Sequence, residues 1–387
     1  MEPDQDREYL SAHERYRALR AEPGLPVGMG GRTRTVTRYD DVDHVLRQIW
    51  DFGGSMGYNP DLPEEEQILP SIPEPRHGRI RRVINGAIAP SRLKPVEPYV
   101  RDLTRSILTE IVTGEAVDVV PTLVDPIPVR AMTFTFGIPE EDADRFRRMS
   151  DEMVENSTEV MTTGIGGLHP EFSDYVDELI AERLHMTDRP NDVMTRLIEA
   201  DLDGQPLSPV AVRTQMMILI LAGNETTRNL LGNLLYSLAR APGLFAELRR
   251  DPTTVAEAIV EESLRIDAPV QSLFRTCVKP TPVGDTELDT DTVVQVCLGS
   301  ANRDNTKFDD PDEFRIDRTN QRDHLSFGAG PHICPGATLA RMEARIVLEE
   351  LADRVSAIRP APDQAPEFAQ FFIARGLKHL WLRLDPA

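Results

Sequence analysis

The stretch Phe327-Gly328-Ala329-Gly330-Pro331-His332-Ile333-Cys334-Pro335-Gly336 constrains this chain more than any other part of it. Its glycines bend the backbone tightly and let it approach a flat partner closely, because no Cβ stands in the way. The sequence that follows, Ala337-Thr338-Leu339-Ala340-Arg341-Met342-Glu343, has helical character. A loop therefore delivers one cysteine to a helix start, where the helix dipole and unpaired amides favour a negatively charged sulfur. A thiolate held there can ligate iron. A lone cysteine is more often a small buried apolar residue, and the surrounding pattern is what separates Cys334 from Cys277 and Cys297.

Other features narrow the class. Lysine and arginine total 43 against 64 aspartates and glutamates, a formal charge of −21 that disfavours nonspecific binding of nucleic acid. The three cysteines are too far apart in sequence to suggest a zinc site, an iron–sulfur cluster or a disulfide scaffold, so a reducing, cytoplasmic setting is expected. The opening MEPDQDREYLSAHERYRALRAE lacks the apolar centre of a secretion signal, and the apolar run Met216–Ala222 falls far short of the roughly 20 residues that span a bilayer. A soluble protein with no membrane partner is the expectation. No repeat or long linker divides the chain, which predicts one domain over residues 1–387.

Helical periodicity dominates in Tyr99–Val112, Tyr175–Leu184, Val255–Ile266 and Ala337–Leu351, while the strand-like runs Thr33–Thr37, Ser272–Val278 and Thr292–Leu298 are short. The fold class is mainly α with small β sheets. The irregular stretches Asp51–Pro75 and Ser157–Pro170 are candidate lids. The longest helix is expected from a cap at Ser208 and a first-turn Pro209 to about Ala239, before Pro242. Midway, Leu221-Ala222-Gly223-Asn224-Glu225-Thr226-Thr227 is poor material for a buried helix, and such local conflict marks a candidate functional site. Gly223 is expected to open space there, with Glu225 and Thr226 as a carboxylate–hydroxyl pair able to pass protons.

At this point the chain resembles the cytochrome P450 family, whose cysteine loop Phe-Gly-x-Gly-x-His-x-Cys-x-Gly is met by Phe327, Gly328, Gly330, His332, Cys334 and Gly336. The resemblance extends over nearly the whole chain. Glu262-Ser263-Leu264-Arg265 is similar to the family's Glu-x-x-Arg helix motif, and Ala301–Asp304 through Phe314 and Arg318 to the segment before the cysteine loop. It implies the triangular-prism fold of that family and haem b (iron protoporphyrin IX) with Cys334 as axial ligand. Glu262, Arg265 and Arg318 become structural support for the haem loop. His77 and Arg81, one helical turn apart, resemble a propionate-binding pair, with Arg275 and His332 as further partners. Glu225 and Thr226 become a proton relay for dioxygen activation. Pro335 suits a first helical turn and withholds one amide from sulfur.

The resemblance also implies a monooxygenase that oxidises a mainly apolar small molecule, most simply by hydroxylation in secondary-metabolite tailoring. Radical C–C coupling of an aromatic or cyclic-dipeptide-like substrate is one alternative, and a haem-thiolate sensor or carrier without turnover is another. The pocket is expected to draw on Met216, Ile220, Gly223, Val270, Leu273, Phe274, Phe371, Phe372 and Ile373. Electrons are expected from NAD(P)H through a ferredoxin reductase and a ferredoxin. Arg76, Arg79, Arg82, Arg341 and Arg345 form the candidate basic docking patch.

Overall fold

The structure, a computed structural model, describes residues 5–28, 31, 33–54, 62–155, 170–202, 204–369 and 373–387. The Ser157–Pro170 candidate lid lies outside the described residues apart from Pro170, as do Phe371 and Phe372. Of the Asp51–Pro75 stretch, residues 55–61 lie outside them.

The chain forms two compact units. One comprises Met1–Gly53, Val100–Ile127 and Thr226–Ala387, and the other Gly54–Tyr99 and Pro128–Glu225. Among the described residues, the first holds all the sheets. Its five-stranded sheet runs β1 (Val27–Gly28), β2 (Thr33–Val36), β8 (Val293–Val296), β5 (Leu273–Cys277) and β3 (Phe52–Gly53), with β2 and β8 parallel and the other pairs antiparallel. A smaller antiparallel sheet joins β4 (Ala116–Asp118), β12 (Trp381–Pro386) and β9 (Val355–Pro360). Two hairpin-like pairs complete it: β6 (Thr281–Val283) with β7 (Thr286–Leu288), and β10 (Glu367–Phe368) with β11 (Leu377–His379).

Around the large sheet lies a core of Val36, Phe52, Val294 and Val296 with Val42, Val45 and Leu46 of α2 (Tyr39–Arg47). Leu325 and Ala329 join the same cluster, so the segment leading into the cysteine loop is anchored by apolar burial, worth about 2 kcal/mol for a large side chain. The first unit also contains α1 (Gln5–Ala21), α10 (Pro242–Arg250), α11 (Pro252–Ile266) and α12 (Ala337–Arg354). Local chemistry sets their ends: Pro242 and Pro252 occupy first turns, and Asp251 caps α11 by accepting the Thr254 amide at 3.2 Å.

The second unit is helical. It contains α3 (Arg76–Ala87), α6 (Ala143–Glu155), α7 (Pro170–His185) and α8 (Val193–Ile198), the last capped by Asp192, which accepts the Thr195 amide at 2.8 Å. Three helices carry the chain from one unit to the other: α4 (Val96–Ile111), α5 (Pro126–Phe136) and α9 (Pro209–Arg240). The longest, α9, has 32 residues and spans about 48 Å at 1.5 Å per residue. Ser208 caps it, accepting the Ala211 amide at 3.1 Å, and Pro209 opens its first turn. No helix among the described residues is long and apolar enough to cross a membrane.

Candidate active site

The cysteine loop is closed on itself and wedged against α2. The Cys334 amide donates to the Phe327 carbonyl at 2.8 Å, and Ile333 to Gly330 at 3.1 Å. Gly328 and Gly330 have φ of 70° and 68°, which side chains other than hydrogen rarely tolerate. A Cβ on Gly330 would also lie 2.9 Å from the Arg47 Cα and the Leu46 carbonyl, so the loop reaches α2 only because that position is glycine. The α12 helix starts at Ala337 with Gly336 as its cap, and no side chain caps its first amides. Pro335 therefore precedes the cap rather than occupying the first helical turn, contrary to the sequence expectation.

Environment separates the three cysteines. Burial pushes the Cys277 thiol up to about 11 and the Cys297 thiol up to about 12, so neither supplies a thiolate near neutrality. Cys334 is half-buried, beside a helix start.

Behind the loop, α11 presents two adjacent carboxylates to different partners. Glu262 and Arg265, both without exposed side-chain surface, pair in bidentate fashion at 2.8 Å. Arg318 Nε and the Arg315 amide also donate to Glu262, each at 2.9 Å. Arg265 reaches on to the carbonyls of Asn302, Pro311 and Glu313 at 2.9, 2.8 and 3.1 Å. The pair thus grips the chain segment that precedes the cysteine loop.

The neighbouring Glu261 was not singled out in the sequence, yet it holds residues on both flanks of the loop. It receives Arg341 Nε at 2.6 Å and Nη2 at 2.9 Å, with His324 Nε2 at 3.1 Å. Burial alone would raise this carboxyl, but those hydrogen bonds and the guanidinium charge hold it near 2. His324 Nδ1 accepts the Ser326 amide, which leaves the proton on Nε2 to face Glu261. Arg341 in turn covers the Phe327 ring, 4.4 Å from its centroid. Arg341 is therefore spent on the loop and Arg345 on Glu349 at 2.7 Å, so neither is a free member of the expected docking patch. Arg76 is likewise paired, with Glu64 at 2.9 Å, whereas Arg82 is exposed.

Several cations suit an anionic ligand. Arg275 is buried and donates to the Phe274 carbonyl at 2.8 Å; desolvation lowers its pKa, with no carboxylate among the described residues acting to restore it. A buried guanidinium without an acid is costly unless an anion completes it. That feature, the glycine-lined cysteine loop and the half-buried sulfur fit a haem with acidic side arms. His332 stands half-buried in the same loop. In the other unit, α3 places His77 and Arg81 one turn apart, both buried, with His77 Nδ1 held 3.0 Å from Glu74.

Along α9 the expected pocket residues differ in exposure. Met216 and Ile220 are both 0% exposed, on the packed side of the helix. The helix instead opens along Ile218, Leu219, Ala222, Glu225 and Thr226, a stripe at three- and four-residue spacing. Ala222 is the most open of them. Gly223 does not clear space either: a Cβ there would lie 3.0 Å from the Met132 sulfur, so its hydrogen admits α5. Asn224 points away from the stripe and donates to Ser150 Oγ at 3.0 Å. On β5, Leu273 shares the face of Arg275, while Phe274 faces the opposite side and is buried. Val270 pairs with Ala374 in an isolated bridge, next to the half-buried Ile373.

Comparison with known proteins gives a consistent result. The family signature described as Cytochrome P450 matches residues 12–367. Cytochrome P450 107B1 of Saccharopolyspora erythraea is 33% identical, covering 96% of this chain and 94% of that protein. The erythromycin C-12 hydroxylase of the same organism is also 33% identical, over 89% of this chain and 87% of its own. Among solved structures, CYP109E1 from Bacillus megaterium in complex with corticosterone superposes with a TM-score of 0.87 at 31% identity, covering 98% of this chain and 99% of that one.

Proposed function

The chain belongs to the cytochrome P450 family and is a monooxygenase, and from that premise we propose that it hydroxylates a mainly apolar small molecule in the tailoring of a secondary metabolite. The observation that carries the site assignment is the contrast among its cysteines: Cys334 alone is half-buried, on a wedged loop at an uncapped helix start. Cys334 would hold the iron. Arg275 and His332, with His77 and Arg81, would neutralise the propionates. When bound, the haem supplies the dioxygen chemistry that no side chain can.

The protein's own groups do the rest. Thr226 would hold a proton at its hydroxyl and Glu225 would resupply it, both on the open stripe of α9. Ile218, Leu219 and Ala222 of one unit, and Val270, Leu273 and Ile373 of the other, are each partly exposed and would offer apolar contact to a substrate. Two relatives support the substrate class, since one is a hydroxylase of erythromycin and the other was solved with a steroid. Electrons would come from NAD(P)H through a ferredoxin reductase and a ferredoxin, the acidic donor meeting the exposed Arg82.

The test is spectroscopic and then preparative. Reduced, carbon-monoxide-bound protein should show the red-shifted thiolate band; Cys334→Ser should lose it, while Cys277→Ser and Cys297→Ser keep it. Macrolides and steroids that shift the iron from low to high spin should, with surrogate ferredoxin and reductase, give products heavier by one oxygen atom. A thiolate band surviving in Cys334→Ser would overturn the site. Turnover without oxygen insertion would overturn the hydroxylation.

A further inference from the structure

Immediately after α11 the chain makes a buried knot that neither the cysteine loop nor the relay uses. Asp267 accepts Arg375 Nε at 2.8 Å and lies 3.7 Å from Arg303 Nη2 and 3.4 Å from His13 Nε2 of α1. One carboxylate thus serves two guanidiniums and an imidazole, all buried. Arg303 has a second acid, Asp312 at 2.8 Å.

The knot holds a short two-stranded ladder. The Arg375 amide donates to the Pro269 carbonyl at 2.9 Å, the Gln271 amide to the Ile373 carbonyl at 2.8 Å, and Val270 stands opposite Ala374. Asn233 of α9 seats both strands, its Nδ2 donating to the Asp267 carbonyl at 3.1 Å and the Arg375 carbonyl at 3.0 Å. Contact with α9 is so close that a Cβ on Gly376 would stand 1.8 Å from Asn229 Oδ1. On the other side Arg20 of α1 donates to Ser300 at 2.9 Å, and His13 closes on Asp267 itself.

We propose that Asp267 is a specificity-determining positioning residue, which fixes how far the Val270–Ala374 ladder stands from α9 and so where Val270, Leu273 and Ile373 meet the substrate. The inference rests on the proposed reading of those three side chains as substrate-facing. Its physical basis is that the Asp267 carboxylate ties Arg375, at the end of the ladder, to the end of α11, in addition to the apolar packing of Val270 and Leu273 on the core. An uncharged side chain of the same shape removes the carboxylate that Arg375, Arg303 and His13 share, which weakens the tie even though Arg303 keeps Asp312. The ladder then relaxes while the cysteine loop, which makes none of these contacts, stays in place.

Two azoles separate pocket shape from haem integrity. Imidazole and 4-phenylimidazole both bind iron through a ring nitrogen, but only the second needs room for an aryl group. In holoenzyme carrying Asp267→Asn, the Kd for 4-phenylimidazole should rise tenfold or more and that for imidazole should stay within twofold, with the thiolate band retained. Gly376→Ala should give the same split without touching any charge, because its Cβ pushes the strand off Asn229, and adding Asn229→Ala should restore tight binding. Unchanged affinity for both azoles, or equal loss of both, overturns the inference; if Asp267→Asn does not fold, the Gly376→Ala pair decides by the same outcomes. Wild-type protein that binds neither azole would instead overturn the haem reading, and this inference with it.

Discussion

Arg265→Ala is the sharpest test of how the cysteine loop is supported. The substitution breaks a pair with no exposed surface on either side chain, a change that costs about 3–5 kcal/mol when it strands a buried charge. Here the stranding is incomplete. Glu262 keeps the Arg318 guanidinium and the Arg315 amide, and the Glu313 carbonyl keeps Arg318, but the Asn302 and Pro311 carbonyls each lose the Arg265 donor. The retained donors argue for the middle of the range, about 4 kcal/mol. At roughly 2.1 cal/mol/K per residue, 387 residues give an unfolding entropy of roughly 0.8 kcal/mol/K, so Tm should fall by about 5 °C. Arg315→Ala is the matched control: its tie to Glu262 is a backbone amide that survives, so the loss should stay within about 0.5 kcal/mol. Arg265→Lys should fall between, keeping charge but losing the planar fork. Thermal unfolding followed by circular dichroism reads the series, with the carbon monoxide spectrum reporting haem retention. Equal Tm values for Arg265→Ala and Arg315→Ala would refute the reasoning.

Three further outcomes are expected. Thr226→Ala should leave the carbon monoxide spectrum intact while product formed per NADPH falls about tenfold and peroxide release rises, with added peroxide restoring some product; unchanged coupling removes the relay. Burial pushes Glu343 up to about 8, so the folded state keeps a proton that the unfolded chain gives up near 4.5. Its penalty therefore grows from about pH 4.5 to pH 8 and then levels, and Glu343→Gln should raise Tm at pH 8 more than at pH 5; the opposite order in a pH series of melts would contradict this. Arg275→Gln should stabilise the haem-free protein, or leave it unchanged, yet speed haem transfer to apomyoglobin about tenfold, and a less stable apoprotein with normal haem retention would exclude the propionate assignment.

The sequence made the helical architecture and the cysteine loop legible because both rest on local rules. Ser208-Pro209 announces a helix start, and spaced glycines around Cys334 announce a loop that must approach something closely. The phase of α9 was not legible. Met216 to Ala222 is apolar on every side, so periodicity there has no direction, and choosing 216 and 220 over 218 and 222 turns the helix by about 200°. Gly223 and Asn224 looked like features of a reaction site, but their composition answers to neighbours, Met132 and Ser150, that are distant in sequence. Arg341 looked like a surface cation because its partner Glu261 stands next to the motif glutamate that drew attention. Two consecutive carboxylates on one buried helix were the available signal, since each had to find a cation. The knot at Asp267 left no local trace at all, being assembled from four separate segments.

Gly328 and Gly330 are written alike in the cysteine loop, and any scheme that scores residues column by column treats them as equals. Their surroundings differ. Alanine at 328 would meet nothing nearer than the His332 carbonyl at 3.9 Å and would bear only its backbone conformation, about 1–2 kcal/mol, while alanine at 330 would also have to drive two backbones apart. A variant library screened for folded protein should therefore find survivors at 328 and almost none at 330. For folding alone 328 is the more forgiving position, although a side chain there would face the flat partner that the loop's glycines admit, and an allele changed at 330 should be read as a folding defect before it is read as a catalytic one.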